Sequence, residues 1–302
     1  MAIDTDEFSH SITEYLNHLV VERALSVHTV SAYRRDLGKF REFLLASKFT
    51  ELNEELLSQF VAQLRGSGQL SESSISRAIV TIRNFSAFRS KELKITDPIR
   101  NFAPPKIPKR LPKAMTYESI LMLIENVGRD ANPMALRDRA LIELIYGTGS
   151  RISEVLDLKV GDLDSSDDSL MVRLTGKGNK QRVVPVGSFA RAAVEDYTTR
   201  LRPNLLNGKR VDYLFVNSRG SRLSRQSAWK IISEAAERLK MQDVSPHSLR
   251  HSFATHLLDG GADIRVVQEL LGHSSVTTTQ IYTLVTIDKL RENYSSAHPR
   301  AK

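Results

Sequence analysis

Apolar residues recur every three or four positions through the first hundred residues, the period of an amphipathic helix. Residues 8–19 form one such stripe, and Ser26 can cap a longer helix carrying Val30, Tyr33, Leu37, Phe40 and Leu44. Residues 54–64 repeat Leu56, Leu57, Phe60, Val61 and Leu64; residues 71–88 repeat Ile75, Ile79, Ile82, Phe85 and Phe88. Four helices of this size can close a small bundle, with the aromatic rings at core spacing as packing rather than stacking platforms.

The helical pattern stops at residues 104–114, which hold Pro104, Pro105, Pro108 and Pro112 among Lys106, Lys109, Arg110 and Lys113. Proline denies both helix and strand ladders, so this is a stiff, basic linker between residues 1–103 and residues 115–302. Beyond it, Thr116 caps a helix with Ile120, Leu123 and Ile124, and residues 137–146 are apolar enough to be a buried helix that Gly147 and Gly149 end. Ile152, Val155, Leu156 and Leu158 pack the next helix. The period then switches to two: Leu170, Val172 and Leu174 alternate with polar neighbours, and residues 181–186 supply a partner strand across a turn permitted by Gly176 and Gly178. Residues 213–216 read as a third strand. Helices are expected over residues 191–201 and 227–239, the latter with Trp229, Ile232, Ala235 and Ala236 towards the core.

Ser245 and Pro246 open a helix whose Leu249, Phe253 and Leu257 repeat every four residues until Gly260 and Gly261 end it. Asp263 caps another with Ile264, Val267, Leu270 and Leu271, which Gly272 stops. A short polar helix then presents Tyr282, and Ile287, Leu290 and Tyr294 continue at helical spacing in the tail, which can cover its own domain. The expected fold class is mainly α with a small antiparallel β-sheet, in two domains.

Composition narrows the function. The 302 residues carry a formal net charge of +8, and a basic chain points to a polyanionic partner, though simple solubility would account for it as well. Arg34, Arg35, Lys39, Arg41, Arg77, Arg83 and Arg89 together could line a DNA-facing surface. There are no cysteines, hence no disulfides and no thiolate metal site; no apolar run has membrane-spanning length, and the acidic start has no signal-peptide core. The expected location is the cytoplasm.

The candidate chemistry lies in the second domain. His247, Arg250 and His251 stand three and four residues apart, on one helix face. His247 and His251 also fit a zinc pair by spacing, but no glutamate follows His247 in the His-Glu-x-x-His form. Arg stays charged and grips phosphate oxygens with a planar fork, and His can donate to the same oxygens. Tyr282 is a possible nucleophile, although a phenol with a pKa near 10 is only about a thousandth ionised at pH 7 and needs nearby cations or a base. Arg151 follows a glycine turn into a new helix, with Glu154 three residues on to orient it or a neighbour. Lys177 sits in a glycine-rich turn that lacks the P-loop string. On spacing alone, Lys177 is an ordinary turn lysine, His273 a surface residue, Tyr282 a half-buried core tyrosine, and His251 and His256 packing histidines.

Five stretches change that weighing: Thr-Gly-Ser-Arg-Ile-Ser-Glu around Arg151, Gly-Lys-Gly-Asn-Lys around Lys177, His-Ser-Leu-Arg-His at 247–251, Leu-Gly-His at 271–273, and Tyr282. In that order they resemble the tyrosine recombinases of the phage integrase family, and within it the bacterial XerC/XerD type. Leu-Arg-Asp-Arg-Ala-Leu at 136–141 and His-Pro-Arg-Ala-Lys at 298–302 look more like the XerC side. The resemblance implies a SAM-like core-binding bundle followed by an α-rich catalytic domain whose tail is exchanged between protomers. It implies a site of Arg151, Lys177, His247, Arg250, His273 and the nucleophile Tyr282, working without metal, cofactor or ATP. The implied activity is strand breakage and rejoining through a 3′-phosphotyrosyl link, resolving chromosome dimers at a dif-like site. The implied partners are double-stranded DNA, a second recombinase in a heterotetramer and a DNA translocase as activator, with no membrane. A phage or transposon integrase, a topoisomerase-like relaxase of the same chemistry, and a DNA-binding module without catalysis are the alternatives.

Overall fold

The computed structural model describes residues 5–47, 51–105, 113–128, 132–165, 170–272 and 287–301. The chain divides into two compact units, Met1–Arg110 and Leu111–Lys302, each with its own apolar core.

The first unit is a bundle of α1 (Thr5–Val21), α2 (Val27–Ala46), α3 (Glu54–Gly66) and α4 (Glu72–Glu92). Ser26 and Ser71 cap α2 and α4 by accepting from Thr29 N and Ser74 N, and Asn53 caps α3 in the same way. Phe8, Phe40, Phe60 and Phe85 are fully buried, with Phe8 edge-on to Phe85 and Phe40 edge-on to Phe60, so the aromatic stripe is core. Arg89 leaves the DNA-facing set. It is 3 % exposed, packs over the Phe8 ring and pairs with Glu7 at 2.8 Å, because the last turn of α4 points it inwards. Arg77 is bonded to the buried Asp36, Arg41 to Ser9 and Arg83 to the Arg100 carbonyl, whereas Arg34, Arg35 and Lys39 lie towards solvent on α2.

The second unit is built around α6 (Ala135–Thr148), which is buried on almost every side: apolar and small positions supply most of its surface, and the buried charges of Arg137, Asp138 and Glu143 are held in ion pairs. Around it stand α5 (Tyr117–Val127), α7 (Ile152–Asp157), α8 (Ser188–Asp196), α10 (Arg225–Arg238) and α11 (Pro246–Asp259). A wide turn, Tyr197–Leu201, joins α8 to α9 (Arg202–Leu206), so the helical stretch expected over residues 191–201 is longer at both ends. The remaining helices are α12 (Ile264–Leu271) and α13 (Ile287–Ala297). No helix among the described residues is long and apolar enough to cross a membrane.

The sheet is antiparallel, in the order β1 (Leu163–Asp164), β2 (Leu170–Thr175), β3 (Gln181–Val186). Its register sets Leu170 against Val186, Val172 against Val184 and Leu174 against Arg182. The third strand is therefore β1 and not residues 213–216. Tyr213 and Val216 form only single bridges, to Lys159 and Arg222, and the buried Leu214 and Phe215 bond to the Leu158 carbonyl and Leu223 N–H, so no ladder can propagate. Trp229 is another departure: it is 52 % exposed, while Ala228, Ile232, Ala235 and Ala236 make the core face of α10.

Candidate active site

The site starts where α6 ends. Gly149 adopts a left-handed φ of 59°, and a Cβ there would stand 2.2 Å from the Phe253 ring, so only glycine lets the chain turn beneath α11. Thr148 and Ser150, both fully buried, bond to each other at 2.5 Å and fix the turn. The chain then enters α7 with Arg151 as its first flanking residue.

Glu154 ties this helix start to the sheet. One of its carboxylate oxygens accepts from the Arg151 backbone N–H at 2.9 Å, closing the start of α7; the other accepts from Arg151 Nη1 at 2.8 Å. The same carboxylate receives Arg182 of β3, Nη2 at 2.7 Å and Nη1 at 3.2 Å. Its side chain is 3 % exposed. Burial alone would push its pKa up, but bonds from Arg182 and Arg151 outweigh burial and hold it below the usual carboxylate range. Arg151 keeps 44 % of its side chain exposed, leaving N–H donors accessible.

Arg250 arrives from α11, which Ser245 caps by accepting from Ser248 N at 3.1 Å, with Pro246 in the first turn. Its guanidinium is buried and donates to the Gly149 carbonyl at 2.7 Å and the Leu271 carbonyl at 2.6 Å. Burial, then the neighbouring Arg151, push its pKa down to about 10, which still leaves it cationic at neutral pH. Arg182 Nε donates to the adjacent Leu270 carbonyl at 2.7 Å. Two arginines thus satisfy successive carbonyls at the C-terminus of α12, the end where the helix dipole favours cations. Three guanidinium groups gathered around one carboxylate leave an excess of positive charge, an environment suited to the non-bridging oxygens of a phosphodiester.

Arg151 and Arg250, singled out by sequence, are brought together. His247 is exposed on the first turn of α11. Lys177 opens the turn between β2 and β3, where Gly178 has a φ of 74°; its side chain lies outside the described residues, as do His273 and Tyr282. His256 is a packing residue as expected, bonded through Nδ1 to the Tyr146 hydroxyl at 2.8 Å. Glu154 is the orienting residue the spacing suggested, and it holds a neighbouring element as well. Arg182 was not singled out by sequence; the available signal was a charged residue in phase with Val184 and Val186 on the core-facing side of β3.

Two family models match the chain: the phage integrase family over residues 113–288 and the phage integrase N-terminal SAM-like domain over residues 12–92. Among curated relatives, the tyrosine recombinase XerD of Mycobacterium tuberculosis is 48% identical over 303 residues, covering 95% of this chain and 97% of its own length. The tyrosine recombinase XerD of Halalkalibacterium halodurans is 41% identical, covering 97% of this chain and 99% of its own. Among solved structures, a lambda integrase dimer bound to a COC′ core site superposes with a TM-score of 0.69 at 16% identity, covering 89% of this chain and 75% of that one. The XerH recombinase bound to a palindromic difH substrate gives 0.67 at 24% identity, covering 97% and 85%. These structural likenesses extend to the fold alone.

Proposed function

This chain belongs to the phage integrase family, and from that premise we propose that it recombines DNA at a specific site, resolving chromosome dimers at a dif-like sequence. It is a tyrosine recombinase, an enzyme that breaks and rejoins DNA strands. The observation that carries the catalytic reading is that Arg250 donates to the Gly149 carbonyl, two residues before Arg151, whose guanidinium Glu154 holds. In this reading Arg151, Arg250, His247 and His273 hold the charge of the phosphorane-like transition state. Tyr282 attacks the phosphorus and becomes linked to the 3′-phosphate; its proton passes to a base, for which His247 is the candidate. Lys177 gives a proton to the departing 5′-oxygen, for which a lysine pKa near 10 is well suited. The free 5′-hydroxyl of the partner strand reverses the step, so the bond energy stays in the covalent link.

The division of labour is a DNA-binding bundle over residues 1–103, a basic linker over 104–114 and a catalytic unit over 115–302. The partners are duplex DNA and a second recombinase in a heterotetramer, with a DNA translocase as activator, in the cytoplasm at the nucleoid. Between the paralogues, the relatives named XerD favour XerD over the XerC type to which residues 136–141 and 298–302 pointed. The test is a nicked suicide duplex that traps the cleaved strand. The wild type should form a covalent protein–DNA complex that survives denaturation, and Tyr282→Phe should not; undiminished complex in the variant would remove Tyr282 from the reaction.

A further inference from the structure

We propose that Arg182 is a positioning residue for strand cleavage, registering the Arg151 clamp against the Arg250 clamp; the proposal rests on the catalytic reading of the site. Arg151 and Arg250 come from different helices, α7 and α11, and no hydrogen bond described between them fixes their separation. Each is instead held by neighbours: Arg151 by the Glu154 carboxylate, and Arg250 by the Gly149 carbonyl, two residues before Arg151, and by the Leu271 carbonyl at the end of α12. Arg182 reaches both supports at once. Its two Nη atoms grip Glu154 at 2.7 and 3.2 Å, and its Nε donates to the Leu270 carbonyl, one residue before the carbonyl that receives Arg250. The guanidinium fork is rigid, so fixing Glu154 on one edge and α12 on the other adds a second constraint on the placing of the two clamps, beside the Arg250–Gly149 bond.

The surroundings are shaped for this one side chain. Arg182 is 10 % exposed, and its position on β3 opposite Leu174 aims it beneath α12. A Cβ at Gly272 would stand 3.0 Å from Arg182 Nη1 and 3.2 Å from its Cδ, at a φ of 62° that already disfavours other residues. A Cβ at Gly176 would meet the Glu154 carboxylate at 3.3 Å. Two glycines from different loops thus leave room for the Arg182–Glu154 contact. Lysine at 182 would keep a charge and a stem but has no fork, so it can serve Glu154 or Leu270 and not both in fixed geometry. Because Arg182 acts through other residues, its loss should slow the chemical step without weakening the grip on DNA, and a displacement of the order of 1 Å is enough to slow a positioned reaction about a hundredfold.

The experiment measures, for the full chain, the first-order rate of covalent complex formation on a suicide duplex at saturating protein, the Kd for the same duplex, and the thermal midpoint. Arg182→Lys and Arg182→Met are compared with wild type and Tyr282→Phe. The proposal predicts rates lower by about 10- to 100-fold in the lysine variant, with Kd within about twofold of wild type. The lysine variant decides the matter if the methionine variant does not fold. A wild-type rate in Arg182→Lys beside an inactive Tyr282→Phe would overturn the proposal alone. A fall in rate only in proportion to weaker DNA binding or a lost thermal midpoint would also overturn it, by reducing Arg182 to a structural residue. A wild-type chain forming no Tyr282-dependent adduct would overturn the catalytic reading, and the proposal with it.

Discussion

Glu154 holds two arginines on one carboxylate, so its substitution should act on both. Glu154→Gln keeps the shape but exchanges an acceptor for an N–H group facing guanidinium donors, and covalent complex formation should fall by roughly a hundredfold in a single-turnover assay. Its depressed pKa also sets a pH dependence. A carboxylate held below its unfolded value of 4.5 contributes stability that is complete above that value and lost as pH falls through the folded one. Arg250→Ala removes a clamp outright, and cleavage should drop about 100- to 1,000-fold, corresponding to roughly 3–4 kcal/mol. It also strands the Gly149 and Leu271 carbonyls, so the melting temperature should fall too. The sequence pattern identified Arg151 and Arg250 through motif spacing and local helix starts. It did not identify Arg182, whose partners lie 28 and 88 residues away and meet it only once β3 has paired with β2. A lone arginine in a strand carries no local sign of that.

At the scale of elements, helix limits followed their caps: Ser26, Thr116, Ser245 and Asp263 each accept the expected backbone N–H. The strand error at residues 213–216 came from reading an apolar run as a ladder when its partners are single residues. The tail was legible as a helix that could cover its own unit, but not the contacts that seat it. In the structure α13 lies on its own catalytic unit, burying Leu290, Tyr294 and Ala297, with the Tyr294 hydroxyl accepting from Gly187 N at 3.0 Å. Arg300 pairs with the buried Glu143 and stacks on Phe189. Gly187 has no room for a Cβ, which would come 2.0 Å from the Arg300 carbonyl oxygen. Gly187→Ala should therefore loosen the last residues, seen as faster amide exchange over residues 287–301. Removing one partner of the Glu143–Arg300 pair, as in Arg300→Ala, should destabilise the unit by about 3–5 kcal/mol in denaturant unfolding. If the tail is exchanged between protomers on DNA, as the family resemblance implies, these contacts must be released first.

His298 within that tail is a pH-sensitive contact. Burial, with His256 and Arg300 nearby, pushes its pKa from 6.5 down to about 3. The unfolded chain therefore takes up a proton below pH 6.5 that the folded chain refuses, and stability falls with pH by about 1.4 kcal/mol per unit there. His298→Phe should remove that part of the slope between pH 6.5 and 5, measured as the difference between the two chains in urea unfolding.

Across the whole molecule, two cores allow two separable units. Residues 111–302 alone should fold and bind duplex DNA with a shallower dependence on salt than the full chain, because the exposed positive charges of Arg34, Arg35 and Lys39 are lost. The division into a helical bundle, a proline-rich linker and a larger mixed unit could be read from the switch of hydrophobic period and the run of prolines. The basic balance of the chain agreed with a phosphate partner but could not choose among DNA-acting functions. That choice depended on residues scattered from 151 to 282, which only the family resemblance joined before the structure brought Arg250 onto the Gly149 carbonyl beside Arg151.

The central claim is that this cationic cluster serves a tyrosine that becomes joined to DNA. Trypsin cutting after Arg265 and Lys289 releases residues 266–289, in which Tyr282 is the only tyrosine. Mass spectrometry of the complex trapped on a suicide duplex and then digested should find the nucleotide adduct on that peptide, at Tyr282. An adduct on any other residue, or a fully active enzyme that leaves none, would contradict the account.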